Sequence, residues 1–189
     1  MSGAERAQAL LARARVIHDA AAVARALDAQ AAAVAEALGD QDPLVLAVMS
    51  GGMWPTVELG RRFGFPHQVD YLHATRYRGA RHGGTLEWRV SPRLALSGRV
   101  VLVVDDILDE GHTLAAVQAA CRRAGARRVA TAVLAVKRHA RRAPGVTVDF
   151  PALEVPDEYV FGCGMDIDEY WRHLPAIYAV AAAGDEHER

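Results

Sequence analysis

Apolar and polar positions along this chain switch between a helical period and unbroken apolar runs. Residues 4–38 carry Ala, Leu, Val and Ile at helical spacing, interrupted near His18 and Asp19, which predicts helices over 4–15 and 19–38 with Gly39 as the stop. Pro43 precedes the apolar run Leu44 to Met49, a buried strand. Ser50-Gly51-Gly52 then turns sharply into a helix over 53–64. A second strand is expected from Val69 to Thr75, an Arg- and Gly-rich loop over 76–84, a short strand over 85–90 and a connector over 91–98. Strand 100–105, helix 112–124 and strand 128–136 follow, with Gly125 ending the helix. Shorter strands or turns are expected at 146–150 and 158–162, mixed aromatic pieces over 167–180 and a frayed end over 181–189. Apolar strands alternating with helices imply an α/β fold, an open parallel sheet flanked by helices on both faces.

The chain of 189 residues fits one domain. Its expected parts are N-terminal helices over 1–41, a core over 42–150 and a small C-terminal hood over 151–180. A hydrophobic fraction of 51% with mean hydropathy near zero reads as a soluble protein. A net charge of −1 gives no bulk attraction for nucleic acid or an anionic membrane. No apolar run reaches the ~20 residues of a membrane span, and the N-terminus mixes charges with alanines, unlike a signal peptide. Cys121 and Cys163 have no metal-ligand or CxxC spacing and read as free thiols in a reducing cytoplasm. The eight histidines show no zinc-ligand pairing on a helix. Basic residues are lopsided: 21 arginines and one lysine, Lys137. Arginine replaces lysine freely on a solvated surface but not where a compact ammonium is needed, so Lys137 marks a site worth testing.

The chemistry concentrates in Val100 to Leu114. A buried apolar run ends in Asp105 and Asp106; Asp109 follows one turn later, and Gly111, His112 and Thr113 open a helix. Backbone N–H groups of Glu110, Gly111, His112 and Thr113 can converge there on an anion, aided by the helix dipole. One segment could thus hold a phosphate and sugar hydroxyls together. Met49-Ser50-Gly51-Gly52 also ends a strand before a helix, and its glycines allow a second anion to approach the backbone.

The first segment resembles the phosphoribosyl pyrophosphate signature of the type I phosphoribosyltransferases, most closely the hypoxanthine-guanine phosphoribosyltransferase branch. The resemblance spans roughly residues 42–180. It implies that Asp105 and Asp106 meet the ribose hydroxyls, that Asp109 to Thr113 wrap the 5-phosphate, and that Asp109 lies near purine N7 as proton acceptor. It also implies that Ser50, Gly51 and Gly52 hold pyrophosphate, in a loop that often carries a cis peptide. Lys137 would donate to a purine 6-oxo group, Tyr159 would stack on the base, and backbone groups around Val160 would read its Watson–Crick edge. Asp166 would sit near magnesium-pyrophosphate, so Mg²⁺ is the expected cofactor, with Asp105, Asp106 and Asp166 as its acids. Arg76 and Tyr77 would lie on a flexible flap over 76–90. The implied activity is purine salvage from phosphoribosyl pyrophosphate and a 6-oxopurine, in a cytoplasmic homodimer or homotetramer.

Four positions depart from the pattern. Ser50 and His112 stand where many relatives carry Lys or Arg, Glu110 where they often carry Thr, and Glu158 where many carry Lys; an acid facing phosphate is repulsive, so Glu110 is expected to point outward. Two other readings compete. A phosphoryl-accepting receiver domain shares the VLVVDD strand and would use Asp149, but 99 residues precede Val100 and the lysine needed after Asp149 is missing. A nucleotide-sensing regulator on the transferase fold would need a binding surface for RNA or a repressor, which the near-neutral charge does not supply.

Overall fold

Strand β5, Val100–Leu108, organises the molecule, and its side chains explain why. Val100, Leu102 and Val104 are buried on one face, and Val101 and Val103 on the other. A strand apolar on both faces belongs inside a parallel sheet covered twice. The computed structural model describes residues 1–76 and 86–180. Its main sheet has six strands in the order β4-β3-β2-β5-β6-β7, comprising β2 Leu44–Val48, β3 Gln68–Arg76, β4 Leu86–Val90, β6 Arg128–Lys137 and β7 Phe150–Val155. All neighbours are parallel except β4, which runs antiparallel to β3 at the edge. The expected parallel sheet is therefore a mixed one, with a hairpin at one edge.

Helix α2, Ala20–Leu38, and α3, Met53–Gly60, cover one face through Val23, Leu27, Val34, Leu38 and Leu59. Helix α4, His112–Arg123, covers the other with Leu114, Val117 and Cys121, three positions on one helical stripe. Asp19 caps α2 by accepting from the Ala22 N–H at 2.7 Å.

Several boundaries differ from the sequence expectation. Helix α1, Gly3–Arg13, ends before the expected residue 15, and a strand, β1 Arg15–His18, fills what was expected to be only a break between two helices. Its partner, β9 Ile177–Ala179, lies at the other end of the chain, and β9 also pairs with β8 Val160–Phe161 to make a small antiparallel sheet. The hood is therefore built from both ends rather than from 151–180 alone. Strand β5 runs three residues beyond Asp105, because Asp105, Ile107 and Leu108 stay in register with Val133, Ala135 and Val136 of β6. The strand expected over 146–150 lies instead at 150–155, and α3 ends at Gly60.

Candidate active site

The five parallel strands β3, β2, β5, β6 and β7 end on one side of the sheet, where open α/β sheets place ligands. A cavity of about 480 Å³ opens there. It is lined by Asp105, Asp106, Asp109, Gly51 and Lys137 and by the turn Glu110 to Thr113. Ser50, Gly52, Tyr159, Val160 and Asp166 lie outside its lining, and Tyr77 lies outside the described residues; Arg76 closes β3.

One end of the cavity is made by the turn into α4. Gly111 takes φ +82°, and a Cβ built on it would meet Leu108 at 2.7 Å, so glycine is required twice over. No side chain caps α4, which leaves its first-turn N–H groups available. The carbonyls of Asp109 and Glu110 accept from Arg142 Nη1 at 2.7 Å and from the Ala143 N–H at 2.7 Å. In a trans peptide the C=O and N–H point opposite ways, so the N–H groups of Glu110 and Gly111 face away from that loop. Glu110 is exposed and its carboxylate lies 3.3 Å from His112 Nε2, so these two unusual residues face each other.

The acidic pair is an electrostatic strain point. Burial, then the charge of Asp106, pushes the Asp105 carboxyl well above its usual range. Burial also raises Asp106, against the hydrogen bond from Asp105, the Ile107 N–H at 2.7 Å and the charge of Arg172. Asp105 has no ion-pair partner among the described residues. The loop before α3 lies directly on this pair: a Cβ built on Gly51 would fall within the Asp106 carboxylate, and one on Gly164 would collide with the Gly51 carbonyl. The Met49–Ser50 peptide in that loop is cis.

Asp109 is half-buried. Burial alone would raise its carboxyl, but hydrogen bonds from Lys137 and His139 outweigh this and hold it below the usual carboxylate range. Lys137 Nζ donates to Oδ2 at 2.8 Å and His139 Nε2 is 2.8 Å from Oδ1. So the lone lysine, at the end of β6, meets the third acid, just past the end of β5.

Residues 14–169 match the phosphoribosyl transferase domain. The chain belongs to this family. It is 30% identical over 136 residues to the hypoxanthine phosphoribosyltransferase of Salmonella typhimurium, covering 71% of this chain and 75% of that protein. It is 27% identical to the hypoxanthine-guanine-xanthine phosphoribosyltransferase of Tritrichomonas foetus, covering 86% and 89%. Among solved structures it resembles a hypoxanthine-guanine phosphoribosyltransferase from Bacillus anthracis, with TM-score 0.80 at 22% identity over 88% of this chain and 96% of that one. At that identity the likeness shows the phosphoribosyltransferase fold, open sheet and hood together.

In this family member the hood approaches through paired charges. Arg141 donates to both oxygens of Asp157 at 2.8 and 2.9 Å, and Arg15 of β1 to both oxygens of Glu158 at 2.8 and 2.9 Å. The Glu158 departure thus has its own partner, supplied by the N-terminal strand. Tyr159 is 57% exposed, and β8 is an edge strand, which leaves one side of the backbone at Val160 without a strand neighbour. Asp166 accepts from Arg172 at 2.8 Å, and Arg172 also donates to the Gly164 carbonyl at 2.9 Å. His139, Arg141, Arg142, Asp157 and Arg172 escaped the sequence reading. Four of them are arginines or their partners in a chain with 21 arginines, where no single one stands out. The acid-histidine cluster Asp109, His139 and Asp157 brings ligand atoms within 4.8 Å of one another, but each is already bonded to a neighbouring donor or acceptor.

Proposed function

We propose that this chain transfers the phosphoribosyl group of phosphoribosyl pyrophosphate to hypoxanthine or guanine, giving the nucleoside monophosphate and pyrophosphate. The observation that carries the reading is the 2.8 Å pairing of Lys137 with Asp109, beside the uncapped start of α4 and the buried acid pair. An ammonium and a carboxylate side by side match the two atoms of a 6-oxopurine that change partners, the 6-oxo acceptor and the N7 proton. Adenine would offer Lys137 a donor and leave the ammonium unpaired.

In this reading the first turn of α4 holds the 5-phosphate, and Asp105 and Asp106 take the ribose hydroxyls and offset positive charge on the sugar. The C1–pyrophosphate bond breaks with its electrons leaving on pyrophosphate. The bond from C1 to purine N9 forms, and the N7 proton passes to Asp109. Catalysis is then orientation, electrostatics and one proton transfer, with no protein nucleophile. Tyr159 would cover one face of the base, and Ser50, Gly51 and Gly52 would face the leaving group. The carboxylate oxygens of Asp105 and Asp106 suit Mg²⁺, and a raised acid pair is the kind of site a divalent cation relieves; Asp166, paired with Arg172, would have to leave that partner to join them. Bound there, Mg²⁺ would neutralise the pyrophosphate.

The test is turnover. Purified protein with phosphoribosyl pyrophosphate and Mg²⁺ should convert hypoxanthine and guanine but not adenine, and excess EDTA should stop it. Turnover of neither oxopurine would defeat the reading, and full turnover in EDTA would defeat the magnesium assignment. Among the described residues no helix is long and apolar enough to cross a membrane. The two buried free thiols fit the cytoplasm, and an exposed apolar face around α3 and β3 fits a homo-oligomer.

A further inference from the structure

The contact between Asp109 and Lys137 uses only one carboxylate oxygen. The other, Oδ1, meets His139, whose side chain is only 4% exposed. The far ring nitrogen settles where the proton sits. The Arg141 backbone N–H donates to Nδ1 at 3.1 Å, so Nδ1 offers a lone pair and Nε2, aimed at Asp109, is the donor. Arg142 Nη1 lies 3.0 Å from Nδ1 and 3.1 Å from Nε2. A second ring proton would point at the Arg141 N–H and lie beside that guanidinium. The contacts therefore point to Nε2–H as the donor to Asp109. The other charged groups around the carboxylate are Lys137 of β6, Arg141 and Arg142 of the following loop, Glu110 next in sequence, and Asp157 of the hood.

We propose that His139 is a positioning residue for proton transfer: it pins Oδ1 of Asp109 while Oδ2 exchanges Lys137 for the purine. This rests on the phosphoribosyl-transfer reading above. When Lys137 turns to the 6-oxo group, Oδ2 loses its donor and becomes the acceptor facing N7. With Oδ1 held, the direction of Oδ2 is set; with Oδ1 loose, the carboxylate rotates and the reacting geometry is populated less often.

The experiment compares His139→Ala and His139→Gln with wild type, thermal melts confirming that each is folded. His139→Ala should lower kcat about tenfold with the KM for phosphoribosyl pyrophosphate within about twofold. Losing a donor to the anion favours the protonated carboxyl, so the acid limb of its kcat–pH profile should move to higher pH. His139→Gln places an amide N–H near the Nε2 position and should recover most of kcat. An unchanged kcat in His139→Ala overturns the proposal, as does a fall with an unmoved acid limb and no recovery by glutamine. Ring ¹⁵N shifts of the free protein provide a check without turnover: the Nε2–H tautomer is expected, and the Nδ1–H tautomer would refute the geometry. Wild-type protein inactive on both oxopurines would instead sink the transferase reading, and the catalytic role with it, whatever the tautomer.

Discussion

Asp105 and Asp106 sit where no protein would place two acids for stability alone. Both carboxyls are raised, Asp105 by burial and then by its neighbour's charge. A raised acid binds its proton more tightly folded than unfolded, so stability falls as pH rises from the usual carboxylate range through the raised one. Asp105→Asn should therefore raise Tm by a few degrees at pH 8, with a smaller gain at pH 5, while activity collapses. A lower Tm at pH 8 would show the pair to be stabilising. Asp109→Asn keeps size but not proton acceptance, so kcat should drop about 10²–10⁴-fold with phosphoribosyl pyrophosphate affinity changed only a few-fold. Near-normal kcat with lost affinity would make Asp109 a binding residue. Lys137→Ala should cost at least about tenfold, or about 1.4 kcal/mol, with hypoxanthine and guanine in steady-state assays. At this scale the sequence was informative where residue type was rare or constrained. Three acids and a glycine at one strand end, and one lysine among arginines, pointed to the cavity. His139 left no such mark, because its role depends on the backbone of Arg141 and on a carboxylate 30 residues away.

The elements that read correctly were those with an internal period. Helix α2 and strands β2 and β6 were visible because burial on one stripe, or on both faces, writes itself into the order of residues. Strand β1 was not, because Arg15–His18 is extended only by its pairing with β9. Strand β5 was cut short for the converse reason: acids rarely continue a strand, yet pairing with β6 carries it on to Leu108. Polar contacts between elements were equally hidden. Buried Gln118 of α4 donates to the Thr131 hydroxyl of β6 at 2.7 Å and to the Thr147 carbonyl at 2.6 Å. Gln118→Ala leaves these groups unmet and should cost about 1–3 kcal/mol. At about 2–4 °C per kcal/mol for this length, calorimetry should show the loss in Tm, and an unchanged Tm would mean that water replaces the amide.

Across the described residues, exposed Met53, Val57, Val69, Tyr71 and Val90 gather on the α3 and β3 side. Contiguous apolar surface of this kind marks association. Sedimentation should find a dimer or tetramer, and Val57→Asp should shift it toward monomer; a monomeric wild type would show that the face serves something else. The small sheet of the hood joins Arg15–His18 to Ile177–Ala179, the first strand to the last described one. That join sets an order of events during synthesis. Strands β2 to β7 and the turn into α4 are complete once Val155 has left the ribosome, and parts made first can fold first. The first strand must wait, unpaired, until Ile177–Ala179 has been made. On the phosphoribosyl-transfer reading, a chain halted between Phe161 and Ile177 would carry the proposed phosphate cradle without a finished base site, so translation would build the half proposed to hold the sugar phosphate before the half proposed to select the purine.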